Sequence, residues 1–197
     1  MRLRKSLLVI AAVTLPLASV ALLGGTASAG KVTGQGTTSC SFGGTINFNP
    51  PLSQNGTPGV KKEVVTVSAN LSGCSGGTPP GPPGSTVAVK PIKSKVAKGQ
   101  NAGTCSSFAS SAGTIKVKVK INWAGEKPSK LTVQGLHVSI NGEGEAGFTA
   151  NFPVSGSYAG SGSFAVYLTQ TSSTEVATCA GSISTLQLDS STSTANL

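Results

Sequence analysis

Apolar and polar positions alternate through most of this chain. The clearest case is Thr114 to Trp123, where Ile115, Val117, Val119, Ile121 and Trp123 alternate with Lys116, Lys118, Lys120 and Asn122. Side chains of a strand point alternately to opposite sides, so this register predicts a strand with a buried apolar face, Trp123 included, and a lysine face. Earlier, Cys40, Phe42, Ile46 and Phe48 share a parity. A two-residue hairpin at Gly43-Gly44 would set Phe42 opposite Thr45 and mix polar with apolar, so one continuous strand ending at Pro50-Pro51 is the better prediction. A second strand follows from about Val60 to Leu71, with Val65, Val67, Ala69 and Leu71 on one face.

Ser75 to Gly84, SGGTPPGPPG, cannot sustain a hydrogen-bonded ladder and predicts an exposed loop within one domain. Thr86 to Ile92 reads as a short strand whose Pro91 suits an edge. After a turn over Gly125 to Lys130, the apolar parity changes at Gly135, from Leu131 and Val133 to Leu136, Val138 and Ile140, which is the pattern of a β-bulge. Two more strands follow, one through Ala146, Phe148, Ala150, Phe152 and Val154, the other over Ser163 to Thr171. Ser172 to Ala180 is the single predicted helix, with Ser172 and Glu175 at capping-box spacing. A last strand spans Ser182 to Leu188, and the Ser/Thr-rich residues 189–197 predict a disordered tail. Eight or nine antiparallel strands at regular spacing, with at most one short helix, point to a β-sandwich.

The N-terminal segment changes the domain count. Arg2, Arg4 and Lys5, the apolar run from Ser6 to Leu23, and Ala27-Ser28-Ala29 together read as a signal peptide over 1–29, cleaved after Ala29. Residues 30–188 then form one domain, with no transmembrane segment left after cleavage. Residues 30–197 carry twelve lysines and six carboxylates, a net charge of +6, and no arginine. Arginine is the usual bidentate reader of phosphate and guanine, so nucleic acid is not the expected partner, whereas a screened attraction to anionic polymers remains.

Cys40, Cys74, Cys105 and Cys179 lie in the exported part and allow three disulfide connectivities. Cys40 begins one strand and Cys74 ends the next, as antiparallel neighbours place them. Cys40–Cys74 is therefore expected, with Cys105–Cys179 by elimination. Wide spacing and a single histidine argue against zinc, and no metal or cofactor is expected.

Candidate chemistry is sparse. His137 is the only imidazole and Asp189 the only aspartate, and no GxSxG elbow accompanies them, so a surface histidine is the expectation and no residue is assigned as catalytic. Glu143 and Glu145 form the only close acidic pair, and their NGEGE setting reads as solvated turn charges. Lys116, Lys118 and Lys120 recur about 6.5 to 7 Å apart on one face. They match successive charges of a teichoic acid or acidic polysaccharide, and they are equally expected of an exposed strand guarded against edge-to-edge pairing, the leading reading.

The motif Cys-x-x-x-Gly-Thr-Ile-x-Phe-x-Pro-Pro-Leu over Cys40 to Leu52, the Leu-Ser-Gly-Cys at 71–74, the isolated Cys105, the strand ending in Trp123 and the late Cys179 resemble an uncharacterised group of small secreted proteins from actinobacteria. The resemblance implies a Gram-positive exporter and a β-rich fold, and it brings no functional residues with it. The expected function is a secreted, noncatalytic extracellular or cell-envelope interaction protein, whose partner is an anionic wall polymer or an envelope protein. A wall or ester hydrolase using His137, and a lysine-driven binder of acidic glycopolymer, are the alternatives.

Overall fold

The computed structural model describes residues 31–81, 85–106, 108, 116–135 and 137–197, without the side chains of 138–140. The expected signal peptide, Ile115, Leu136 and the end of the Pro/Gly stretch at 82–84 lie outside the described residues. Residues 31–197 form one compact unit.

The chain begins with two long strands, β1 (Gln35–Leu52) and β2 (Lys62–Thr78), paired antiparallel along most of their length. The glycines of GG43–44 lie inside β1, as the register requires. Gly44 has φ 151°, and a Cβ there would collide with the Ser68 carbonyl oxygen of β2. From β2 the sheet continues through β3 (Ser85–Val89), β5 (Lys116–Asn122), β6 (Ser129–Gln134), β8 (Ala146–Ser155), β9 (Gly160–Tyr167) and β11 (Thr194–Asn196). β11 pairs with β9 on one side and with Ser39–Ser41 of β1 on the other, so the sheet returns to its first strand.

The fold is therefore an eight-stave antiparallel barrel, which corrects the expected sandwich. Three short strands prolong staves: β4 (Ile92–Lys95) runs beside β2, β7 (His137–Ile140) beside β8, and β10 (Ile183–Leu188) beside β1. The strand expected over Thr86 to Ile92 is thus divided at Lys90-Pro91. The parity change at Gly135, where φ is 67°, separates β6 from β7. Alternation shows that one face of each strand must be covered; a second sheet and the far wall of the same sheet both satisfy that demand. Closure onto β1 selects the second solution and removes every continuous free edge.

Residues 189–197, expected to be disordered, supply that closure. Ser193, Ala195 and Leu197 are buried. Thr38 and Leu197 exchange backbone hydrogen bonds of 2.8 and 2.9 Å, and the Phe42 N–H donates to the Ser193 carbonyl at 3.0 Å. The segment is polar by composition, but every second residue from 193 faces inward, and a short final stave needs no more apolar content than that.

The interior has two levels. At one end Trp123, 3% exposed, packs edge-on against Tyr158 with ring centroids 4.9 Å apart, and its indole N–H donates to Ser129 Oγ at 2.8 Å. The stretch expected to be an exposed loop is exposed at Ser75, Gly76 and Thr78–Pro80, but it begins as strand and its residue 81 folds against this end. β2 extends to Thr78, and Gly81 is buried where a Cβ would press on Trp123, Cys74 and Thr38. At the other end Phe108 stands edge-on between Phe48 and Phe148, at 5.1 and 5.6 Å. Disulfide Cys40–Cys74 ties β1 to β2 beside Trp123, and Cys105–Cys179 ties the segment carrying Phe108 to the end of the helix.

That helix, α1, spans Gln170–Thr178, two residues ahead of its expected start. Thr169 is its N-cap and accepts from the Ser172 N–H, leaving the Ser172 and Ser173 hydroxyls for other work. Ser172 Oγ accepts from the Gln187 N–H of β10 at 2.9 Å, and Ser173 Oγ accepts from the Ala146 N–H of β8 at 3.1 Å. Docking to the barrel therefore takes the serine that local capping would have used.

If β11 closes the barrel, deleting residues 193–197 exposes the flanks of β1 and β9 and removes the burial of Ala195 and Leu197. Burying one leucine alone contributes about 1.5–3 kcal/mol. The truncated chain is expected to lose cooperative thermal unfolding or to melt far below the intact one, as followed by circular dichroism. An unchanged melting curve would contradict closure by this segment.

Candidate functional site

The lysine-bearing strand β5 occupies an interior stave, paired with β3 on one side and β6 on the other. Its apolar residues Val117 and Ile121 are buried in the barrel, and Lys116, Lys118 and Lys120 are exposed on the outer wall. The register adds cations from neighbouring staves. Lys120 lies directly opposite Lys130 of β6, and the Lys90 N–H donates to the Lys118 carbonyl at 3.3 Å, which brings Lys90 alongside. Together Lys90, Lys118, Lys120 and Lys130 border a shallow groove whose floor includes Pro91 and Thr132. β3, β5, β6 and β8 contain no aspartate or glutamate, so no acid on these staves offsets the lysines.

Two physical points bear on what this wall is for. Like charges directly opposite each other on paired strands oppose pairing, so the Lys120–Lys130 register costs stability. Lysines protect a sheet where it presents an unpaired edge; β5 is paired on both edges from Lys118 onward, and only Lys116 and Val117 lack a partner on the β3 side. Sequence alternation identified the β5 lysines but had no means of adding Lys90 and Lys130, because only the strand order makes them neighbours.

The other candidates are dispersed. His137 is exposed at the start of β7, opposite Thr149 of β8. Asp189 adjoins Tyr167 at the end of β9, its N–H donating to the Tyr167 carbonyl at 2.8 Å. These two residues are thus three staves apart, roughly 14 Å at the usual strand spacing, too far for a Ser-His-Asp relay. The Ser191 hydroxyl and the Ser191 N–H both donate to the Asp189 carboxylate and hold its pKa below the usual carboxylate value. Of the NGEGE pair, Glu143 is exposed, but Glu145 is buried, which corrects its reading as a solvated turn charge. Its Oε2 accepts from Asn141 Nδ2 at 2.7 Å and from Thr192 Oγ1 at 2.8 Å, fastening the turn to the segment that leads into β11.

One buried pair had no signature in the sequence. Glu126, 5% exposed, meets Tyr158, fully buried, at the Trp123 end of the barrel. The Tyr158 hydroxyl donates to the Pro79 carbonyl at 2.6 Å and lies 3.2 Å from Glu126 Oε1. Glu126 Oε2 has no hydrogen-bond partner among the described residues and lies against Gly34, where any Cβ would strike it. Burial first, then the hydrogen bond and charge of Glu126, push the Tyr158 phenol up to about 12. A phenol so placed stays neutral at physiological pH and pins the 79, 126 and 158 segments together.

Among the described residues no three His, Cys, Asp or Glu side chains cluster as metal ligands, and no helix is long and apolar enough to cross a membrane. No protein-family model, curated protein or solved structure matches the chain.

The Tyr158 shift sets an alkaline limit. Its folded pKa lies above the ordinary value of 10.0, so the native state holds the phenolic proton more tightly than the unfolded chain does. The resulting stabilisation is complete below pH 10 and is lost as pH rises toward 12. Denaturant midpoints measured across this window should fall, and Tyr158→Phe should flatten the decline. An equal decline in the variant would place its cause elsewhere.

Proposed function

We propose that this protein is an exported, noncatalytic protein of the cell envelope or extracellular space whose outer wall holds an anionic polymer, of the teichoic acid or acidic polysaccharide kind. The observation that carries this reading is the set of lysines on adjacent staves. The register opposes Lys120 to Lys130, and Lys118 and Lys120 lie where both edges of β5 are paired, so an anionic partner gives these lysines a use that edge protection does not. Ammonium groups about 5 to 7 Å apart lie within one screening length of each other at physiological salt, so one bound polymer engages several together. Lysine suits this task, since a flexible polymer offers scattered charges rather than the fixed planar acceptors that favour arginine. Export is supported by the signal-like residues 1–29 and by two disulfides, and an actinobacterial wall is the setting that the motif resemblance supports.

The test is retention on purified wall teichoic acid across a salt series. Changing Lys90, Lys118, Lys120 and Lys130 together to glutamine should leave the fold intact. Each lysine near an anionic surface is worth at most about 1 kcal/mol, so retention at low salt should fall by about tenfold or more and its salt dependence should become shallower. A soluble variant retained as well as the unaltered protein would remove the polyanion reading.

A further inference from the structure

The barrel is not filled. Its interior holds a chamber of about 370 Å³, bounded by inward residues of every stave and overwhelmingly apolar. The cause lies in the choice of inward side chains: Val65, Val67, Val87, Val119, Val133 and Ala195 are too short to meet across an eight-stave barrel, whose interior is just wide enough for larger residues to close or for one small ligand to occupy. A cavity of roughly 150 Å³ lined by such residues stays dry and takes benzene, so this one has room for about fifteen non-hydrogen atoms. It is also long. Along β2 its lining runs from Leu71 through Val67 and Val65 to Glu63, a span of roughly 26 Å of strand.

Polar groups are confined to one end. There the chamber reaches the surface between β2, β4 and Gly103, where Lys93 and Ser94 are exposed. Glu63 faces inward at this mouth, but both its oxygens are engaged: Oε1 accepts from the Gly103 N–H at 2.6 Å and Oε2 from Ser94 Oγ at 3.1 Å. These neutral donors leave the Glu63 charge in place, but Lys93 borders the chamber, and Lys62 and Lys95 lie opposite one another across β2 and β4 beside it, so three lysines outnumber one carboxylate and the rim is net cationic.

We infer that the barrel interior is a binding chamber for an acyl-chain amphiphile with an anionic head, its chain lying along the barrel axis and its head at the Lys93 rim. The aliphatic lining and length fit a linear hydrocarbon, and the rim fits a carboxylate or phosphate. This site is distinct from the lysine wall, since the chamber lies inside the barrel and the lysines stand on the outward parity of β5, although Val119 borders both the chamber and the groove.

The test uses residues 30–197 with both disulfides intact and the neutral fluorescent probe N-phenyl-1-naphthylamine. One probe is expected to bind per chain, with fluorescence enhanced by transfer out of water, and to be displaced by dodecanoate or dodecyl phosphate at least tenfold more readily than by dodecyltrimethylammonium. Val133→Phe or, independently, Val67→Phe should fill the chamber and abolish probe binding while leaving teichoic acid retention unchanged. Thermal melting identifies which variant is folded. Lys93→Glu should reduce the preference for anionic over cationic competitors without altering probe affinity. Absence of probe binding, binding undiminished in a folded filled variant, or displacement by the cation as readily as by the anions would each overturn the proposal. A fall in teichoic acid retention on filling would instead show the two sites to be one.

Discussion

The structure depends on the closure of β1 with a strand on each flank. β2 takes one side over most of its length, and β10 and β11 divide the other, with the paired hydrogen bonds between Thr38 and Leu197 sealing the end near Trp123. A closed antiparallel barrel satisfies its ladder hydrogen bonds internally and sorts side chains into two environments by parity alone. Everything chemical about this protein follows from that sorting. The outward set is lysine, threonine, serine and asparagine, the reverse of a lipid-spanning barrel, whose outward residues are apolar.

The two ends of the barrel are built differently, and the polar groups show how. At the Trp123 end, space is filled by aromatic rings, a disulfide and the Tyr158–Glu126 contact, and glycines at 34, 77 and 81 let backbone lie against those rings. At the Phe108 end, the described residues are joined by a disulfide to α1, two edge-on phenylalanine contacts, and the Glu63 carboxylate accepting from the Gly103 N–H. A sealed base below a chamber that meets the surface at the other end is an arrangement suited to holding something.

The outer wall and the inner chamber are proposed to serve different partners through one strand. β5 contributes valine and isoleucine to the interior and lysine to the exterior at every step, so its sequence is constrained at both parities. A strand of this kind tolerates little substitution without affecting one site or the other. Its place between β3 and β6, with both edges paired from Lys118 onward, makes Lys118 and Lys120 part of a continuous outer surface.

Much of this was legible in the residues themselves. Period-two alternation determined that the chain is all-β, which side chains of β1, β2, β5 and β8 turn inward, that Trp123 is buried, and that β1 runs through Gly43-Gly44 without turning. These are local properties, because parity along an extended chain needs no knowledge of neighbours. What alternation leaves open is what covers the buried face. Only the tertiary structure decided that the sheet curls onto itself rather than packing on a second sheet, because the hydrogen bonds joining Ser39–Ser41 to Thr194–Asn196 link residues more than 150 positions apart. The same long-range pairing ordered a polar tail and buried Glu145 through Thr192, whereas the register of the β5–β6 hairpin set Lys130 opposite Lys120 and packing at the Trp123 end joined Tyr158 to Glu126. None of these contacts is announced by period-two alternation: each depends on which strands lie side by side and in what register, and alternation along one strand carries neither.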